Sequence, residues 1–256
     1  MLFNQIIFGP VQSRRLGTSL GINLLPEDIK LCTYNCIYCE CGWAETEELL
    51  PSKFLPLENI VSVLEEKFKL MKINQVHLDS ITYSGNGEPT VHPQFGAITE
   101  QLMRLRDRYF PQTIITCLSN STQLHRADVL EALRLIDNPI MKLDTGIQQT
   151  FELINKPFFP IDVAEICDYL TQFQGNLTIQ TLFLKGELDD GTKIDNTTEA
   201  ELAAWLDCLN AINPHTVMLY PIERETPAKK LVKIEKEVLH QIAKRVGELG
   251  IKALVY

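Results

Sequence analysis

Apolar positions along the chain recur with two alternating periods. Leu57, Ile60, Val61, Leu64, Phe68 and Met71 keep helical spacing and predict a helix over residues 57–72. The same spacing predicts helices over 93–108, entered near Pro93, over 125–136 and over 162–173. Asp162 is the expected cap of the last of these and Gly175 its stop. Two more helices are expected, one from a cap at Asn196 or Thr197 to residue 212, the other over 233–249 and closed by Gly250. Between them lie short β-branched runs: an extended segment at 19–24, strands at 81–83, 113–118, 140–143, 177–184 and 216–220, and a last short strand at 251–255. Residues 186–196 read as a polar loop. Six β→α units with no linker, repeat or low-complexity stretch between them imply an α/β fold, a parallel sheet covered by helices. Right-handed crossovers allow an open sheet or a barrel, with working loops at the strand C-termini in both. The expected organisation is one domain over 1–256, with a core at 17–225 and a C-terminal helix and short strand within 233–256.

Composition narrows the class. The chain has 256 residues, 45% hydrophobic and 22% charged, an ordinary globular balance at a size of one or two domains of ~150 residues. No run of ~18 apolar residues occurs, so no membrane-spanning helix is expected. The first residues, Met1 to Gln5, show no basic region followed by an apolar stretch, and a cytoplasmic location is the expectation. The net charge of −9 argues against a broad nucleic-acid surface. The small basic groups Arg104/Arg106/Arg108 and Lys229/Lys230/Lys233 read as solvated faces.

Seven cysteines change the picture, because four of them, Cys32, Cys36, Cys39 and Cys41, fall within ten residues. A disulfide framework spreads its cysteines along a short secreted chain; this crowding points to metal or redox chemistry. Cys117, Cys167 and Cys208 sit in apolar-periodic segments and read as small core residues. The loop Cys32-Thr33-Tyr34-Asn35-Cys36-Ile37-Tyr38-Cys39 has the spacing C-x3-C-x2-C. Structural zinc closes a tetrahedron with four ligands, commonly two C-x2-C pairs, and ferredoxin clusters use four cysteines in other spacings. Three thiolates on a short loop can hold three irons of a four-iron cluster and leave the fourth open.

At these residues the sequence resembles the radical S-adenosylmethionine (radical SAM) superfamily, whose loop is C-x3-C-x-aromatic-C, with Tyr38 at the aromatic position. The resemblance implies a partial (β/α)6 TIM-like barrel of parallel strands. It also implies one 4Fe–4S cluster on Cys32, Cys36 and Cys39, with SAM bound to the open iron. Reductive cleavage of SAM would yield a 5′-deoxyadenosyl radical that abstracts hydrogen from a substrate. The turn Gly85-Asn86-Gly87-Glu88 after the second strand resembles the family's Gly-Gly-Glu motif for the SAM amino group, with one residue inserted. Its glycines permit positive φ and close approach of backbone to a ligand. Ser119 and Asn120 after the third strand, and Lys142 and Asp144 at the end of the fourth, resemble the family's contacts to ribose and carboxylate. Asp144 suits ribose hydroxyls, and Lys142 or Asn120 suits a carboxylate. Gln180 faces into or out of a barrel by strand parity, and Tyr220-Pro221-Ile222 ends the sixth strand where the family packs adenine.

The segment Gly9 to Asn23, with Arg14 and Arg15, looks like that of small relatives of the wyosine-base tRNA-modifying synthases. The extra cysteines of a second cluster are missing, which puts wyosine chemistry itself in doubt. Arg14 and Arg15 can meet an anionic substrate, the SAM carboxylate or nearby acids. The expected activity is a radical SAM enzyme acting on a small molecule, RNA or protein, tRNA-base modification and activation of a glycyl-radical partner included. With no ferredoxin-like segment in the chain, a flavodoxin or ferredoxin is the expected electron donor. The rival from a different class is a non-catalytic zinc or Fe–S electron carrier, with Cys41 closing the site.

Overall fold

The structure is a computed structural model and describes residues 2–44 and 54–256. By its internal contacts the chain forms two compact units. The first comprises Met1–Cys32, Ala44–Ser119 and Gln123–Pro139; the second comprises Thr33–Trp43, Asn120–Thr122 and Ile140–Tyr256.

In the first unit β1 (Ile7–Ser13) and β2 (Gly17–Ile22) form an antiparallel hairpin. After α1 (Leu57–Ile73) come β3 (Ser80–Tyr83), α2 (Phe95–Tyr109), β4 (Ile114–Ser119) and α3 (Ala127–Leu135). β2, β3 and β4 lie parallel, with Leu20 opposite Ile81 and Ile81 opposite Ile115. The helical apolar stripe is the one periodicity predicts: α1 buries Ile60, Leu64, Phe68 and Met71, and α2 buries Phe95, Ile98, Leu102 and Leu105. Each such side chain contributes about 1.5–3 kcal/mol by leaving water. The strands also bury hydroxyls, and these pair with one another: Ser19 with Thr82 at 2.8 Å, and Ser80 with Thr116 at 3.0 Å. Buried hydroxyls that satisfy each other avoid the cost of lost hydration. β1 is absent from the sequence reading. Its apolar contact is aromatic: Phe8 stacks on Phe3 at 3.7 Å between centroids and covers Gly21, where any side chain would meet the ring.

The second unit begins within β5 (Asn138–Lys142) and continues through α4 (Gln148–Asn155), α5 (Val163–Thr171), β6 (Thr178–Leu182), β7 (Leu184–Glu187), β8 (Lys193–Asp195) and α6 (Glu199–Ile212). It ends with β9 (Thr216–Tyr220), β10 (Leu231–Lys233), α7 (Lys236–Glu248) and β11 (Lys252–Val255). β6 pairs in parallel with β5 and β9, and β9 with β11; Lys142 lies opposite Gln180. Asp162 caps α5 as expected, accepting from the Ala164 amide at 2.8 Å.

Three expectations need correction in this unit. The polar stretch 186–196 carries β7 and β8, which pair antiparallel, and β10 joins β7 where the start of the last helix was expected. Here Leu184 and Ile194 are buried in a core with Ile37, Ile154 and Leu182, so one apolar side chain per short strand suffices where the rest is polar. The α6 cap is Thr198, whose hydroxyl accepts from the Glu201 amide at 3.4 Å. Asn196 is spent elsewhere, donating to the Asp144 and Leu182 carbonyls at 3.0 and 2.9 Å. Finally, α4 was missed altogether. It shows only Phe151 and Ile154 as buried apolar residues and has no side-chain cap.

Candidate functional site

In the first unit the chain leaves β3 through the turn Gly85–Glu88, beside the segment that leads into Cys32. The Leu31 amide donates to the Asn86 carbonyl at 2.8 Å, and the Glu88 amide donates to the Leu31 carbonyl at 3.1 Å. Gly85 and Gly87 have φ of +148° and +143°. A Cβ on Gly87 would fall on the Leu31 carbonyl oxygen, and one on Gly85 would fall on the Asn23 amide. Both glycines are therefore demanded by packing inside the unit, whatever ligand the turn meets.

The polar side chains of this turn are engaged internally. Asn86 is fully buried; it accepts from the Phe3 amide at 2.7 Å and donates to the Phe3 and Pro26 carbonyls at 2.8 Å each. Glu88 is 2% exposed, and its Oε1 accepts from the Thr90 amide at 3.1 Å and from the Thr90 and Ser119 hydroxyls at 2.5 and 2.9 Å. Cys117 in β4 is buried near Glu88, and burial followed by that carboxylate pushes its thiol well up, in keeping with a core residue.

The second unit holds Cys36, Tyr38, Cys39 and Cys41, with Asn120, Lys142 and Asp144. All seven cysteines of the chain are thiols. The cysteine loop lies along the end of α4 and the residues after it. The Asn35 amide donates to the Asn155 carbonyl and the Ile37 amide to the Ile154 carbonyl, each at 3.0 Å. The Phe158 amide donates to the Thr33 carbonyl at 3.1 Å, and the Ala228 amide to the Ile37 carbonyl at 3.1 Å. Ile37 is fully buried in the core, and Tyr34 meets the edge of Phe151 at 5.5 Å. The apolar residues between the cysteines thus anchor the loop.

Asp144 is the hub. Its side chain has no exposed surface and that of Lys142 is 9% exposed. Oδ1 accepts from the Leu182 amide at 3.0 Å. Oδ2 accepts from the Tyr38 hydroxyl at 2.5 Å, from Asn155 Nδ2 at 3.1 Å and from Lys142 Nζ. Lys142 also donates to the Tyr38 hydroxyl. Burial opposes the charge on Lys142, but Asp144, with Cys36 and Tyr220 adding to it, more than offsets burial and holds the ammonium above its ordinary range. Asn155 Nδ2 also lies 3.8 Å from Cys36 Sγ. Asn120 donates to the Thr33 hydroxyl at 2.8 Å and accepts from the Thr122 amide and hydroxyl at 3.1 and 2.8 Å.

Sequence reasoning did not name Asn155 or Thr122, gave Thr33 no role within the cysteine loop, and took Asn196 only as a possible helix cap. Asn155 is the last residue of the missed helix, followed by Lys156 at φ +43° and Pro157. A polar residue just before a helix-ending Lys-Pro pair is the signal that was available. Among the described residues no three His, Cys, Asp or Glu side chains converge as the ligands of a single metal ion. Nor, among them, is any helix long and apolar enough to cross a membrane.

Parallel βα units, with a loop of three spaced thiols and a glycine-rich turn after the next strand, define an α/β protein. The radical SAM superfamily model matches residues 27–193, and the chain belongs to that superfamily. Membership implies an enzyme. Among curated relatives, the chain is 30% identical over 242 residues to a protein of Brachyspira hyodysenteriae named GTPase Obg, covering 93% of this chain but only 33% of that one. The chain thus spans about a third of the length of that relative. It is 32% identical over 248 residues to a UPF0026 protein of Methanocaldococcus jannaschii, covering 95% of this chain and 72% of the relative.

Solved structures share the fold at low identity. A radical SAM methyltransferase from Sphaerobacter thermophilus aligns with a TM-score of 0.63 at 15% identity, over 93% of this chain and 65% of that one. SuiB of Streptococcus suis, solved bound to S-adenosylmethionine, aligns at 0.63 and 14%, over 92% and 50%. An archaeal TYW1 aligns at 0.51 and 12%, over 90% and 71%. The fold is the α/β, partial TIM-like barrel class of these enzymes.

Proposed function

We propose that the chain is a single-cluster radical SAM enzyme, with Cys32, Cys36 and Cys39 holding three irons of one 4Fe–4S cluster and SAM on the fourth. When bound, this pair supplies one-electron cleavage of SAM to methionine and a 5′-deoxyadenosyl radical that takes hydrogen from a substrate. The observation that carries the reading is the surroundings of Cys36. An amide N–H points at its sulfur and a buried ammonium lies within electrostatic reach, which favours a thiolate ligand. Cys117 is the contrast: burial and the nearby Glu88 carboxylate hold it as a thiol.

The chain's own residues divide the remaining work. Lys142 has three N–H donors, and Tyr38 and Asp144 occupy two of their directions, leaving one for a ligand carboxylate. Asp144 orients Lys142 and Tyr38, so its part in ribose binding runs through them. The Gly85–Glu88 main chain offers carbonyls for the SAM amino group, while Asn86, Glu88, Ser119 and Asn120 hold the surrounding turns in place. Cys41 stays outside the ligand set. Cys117 lies in β4, and Cys167 and Cys208 pair with each other between α5 and α6; the electron donor is a flavodoxin or ferredoxin. The substrate is a small molecule, an RNA or a protein.

The test is reaction with dithionite after anaerobic reconstitution. Four iron and four sulfide per chain, with formation of methionine and 5′-deoxyadenosine from SAM, is the expected result. A loaded protein that binds SAM and yields no deoxyadenosine with several reductants points to the electron-carrier reading. One zinc per chain with no iron retained points to a structural site.

A further inference from the structure

We infer that Asn155 is a positioning residue for the cluster, setting its reduction potential through an N–H···S bond to Cys36. The inference rests on the reading of the cysteine loop above and adds to it a residue outside the loop.

The side-chain amide of asparagine carries two N–H donors. At Asn155 both are used, one toward Asp144 Oδ2 at 3.1 Å and one toward Cys36 Sγ at 3.8 Å. The residue is 1% exposed, so water does not compete for either donor. Its carbonyl accepts from the Asn35 amide, one residue before Cys36, so main chain and side chain hold the same stretch of loop. The seat is rigid: Ile154 is fully buried, Phe151 is packed against Tyr34, and Lys156 ends the helix in the left-handed region.

The sign of the effect follows from charge. Reduction adds one electron to the cluster and its thiolates, and a donor aimed at a ligand sulfur stabilises the more negative state. Hydrogen bonds to the sulfurs are among the factors that set such potentials. Asp144 strengthens the effect by fixing the amide's orientation, so the donor needs no reorganisation when the electron arrives. A carboxylate at position 155 would present lone pairs to the thiolate, which is why the amide, isosteric with it, is the group that suits this place.

The experiment is an EPR-monitored redox titration of the reconstituted full chain with dithionite, comparing Asn155→Leu with Asn155→Gln. Leucine keeps roughly the volume and removes both donors; glutamine keeps them on a longer stem. The expected result for Asn155→Leu is a tenfold lower ratio of reduced to oxidised cluster at a fixed potential, about 59 mV for a one-electron couple. Asn155→Gln should recover part of the shift. A potential unchanged in a loaded Asn155→Leu protein overturns the inference.

Should that variant fail to fold or load, the unaltered chain carries the test. With 15N placed in asparagine side-chain amides, the reduced cluster should show a nitrogen coupling by pulsed EPR, and its absence overturns the proposal. If the unaltered chain takes up no four-iron cluster, the reading of the loop fails and this inference with it. A normal cluster indifferent to Asn155 fails this inference alone.

Discussion

Asp144→Asn probes the hub of the second unit without any cofactor. In the native unit the carboxylate is wholly buried and the ammonium of Lys142 is nearly so. The amide keeps an oxygen for one of its donors but removes the countercharge. Taking away one partner of a buried ion pair costs about 3–5 kcal/mol. With exposures of 9% and 0% there is little solvent screening to discount. That loss is a large fraction of the roughly 5–15 kcal/mol by which domains are stable. Both tryptophans, Trp43 and Trp205, belong to this unit, so fluorescence-monitored urea unfolding of the apoprotein reports on it directly. The midpoint should fall with no change in slope.

A pH series adds a sign. In the native protein the Lys142 pKa is raised, so its contribution is fully present below the ordinary lysine value and is lost as pH rises through the folded value. In Asp144→Asn burial acts with no carboxylate to offset it, and the folded pKa drops below the unfolded one. The deficit is then largest near neutral pH and shrinks as pH approaches the unfolded lysine value of about 10.4. A loss below about 1 kcal/mol, the scale of a surface pair, or a deficit that grows with pH, would refute this account of the hub.

Among the cysteines, alanine at Cys32, Cys36 or Cys39 should each abolish the iron chromophore after reconstitution, whereas Cys41→Ala should keep it; visible absorbance and iron content decide. Gly87→Ala places a methyl group on the Leu31 carbonyl at φ +143°, so it should destabilise the first unit by more than the roughly 1–3 kcal/mol of backbone strain alone. Because Leu31 precedes Cys32, iron loading and SAM affinity should fall together; SAM affinity falling with full iron content would mean that the turn acts on the ligand only. Cys208 should alkylate with iodoacetamide well before Cys167, since a hydrogen bond from Cys167 lowers the Cys208 thiol pKa while that bond and burial push Cys167 up. Equal rates by peptide mass spectrometry would contradict the pairing.

Long elements with one clear period were legible from the sequence. The apolar stripe of α1 and the β-branched run of β4 have no competing reading at their length, and the expected boundaries lie within a residue or two of those observed. Short elements were not legible, because their stability comes from tertiary contacts. α4 has eight residues, too few for helix formation by propensity. It stands because Phe151 and Ile154 are packed and its last carbonyls receive the amides of the cysteine loop. β7, β8 and β10 are three or four residues each and hold by pairing with one another.

The candidate site was legible by position and less so by role. A polar residue at the end of a parallel strand is a reasonable ligand contact from sequence, because that is where α/β proteins work. Yet Asn86, Glu88, Asn120 and Asp144 are buried and bonded to neighbours within their own units. The reason is the loops themselves. A loop that presents its main chain to a ligand cannot use those amides and carbonyls in regular secondary structure. Its shape must then be held by side chains, and buried side chains that do this must have every polar atom satisfied. Asn196 shows the same logic away from any ligand, accepting from the Leu184 amide at 2.8 Å while donating to the Asp144 and Leu182 carbonyls. Strand-end polar residues in this chain are thus chiefly the framework of the loops. Lys142, with one donor direction left over, is the side chain among them whose bonding leaves room for something more.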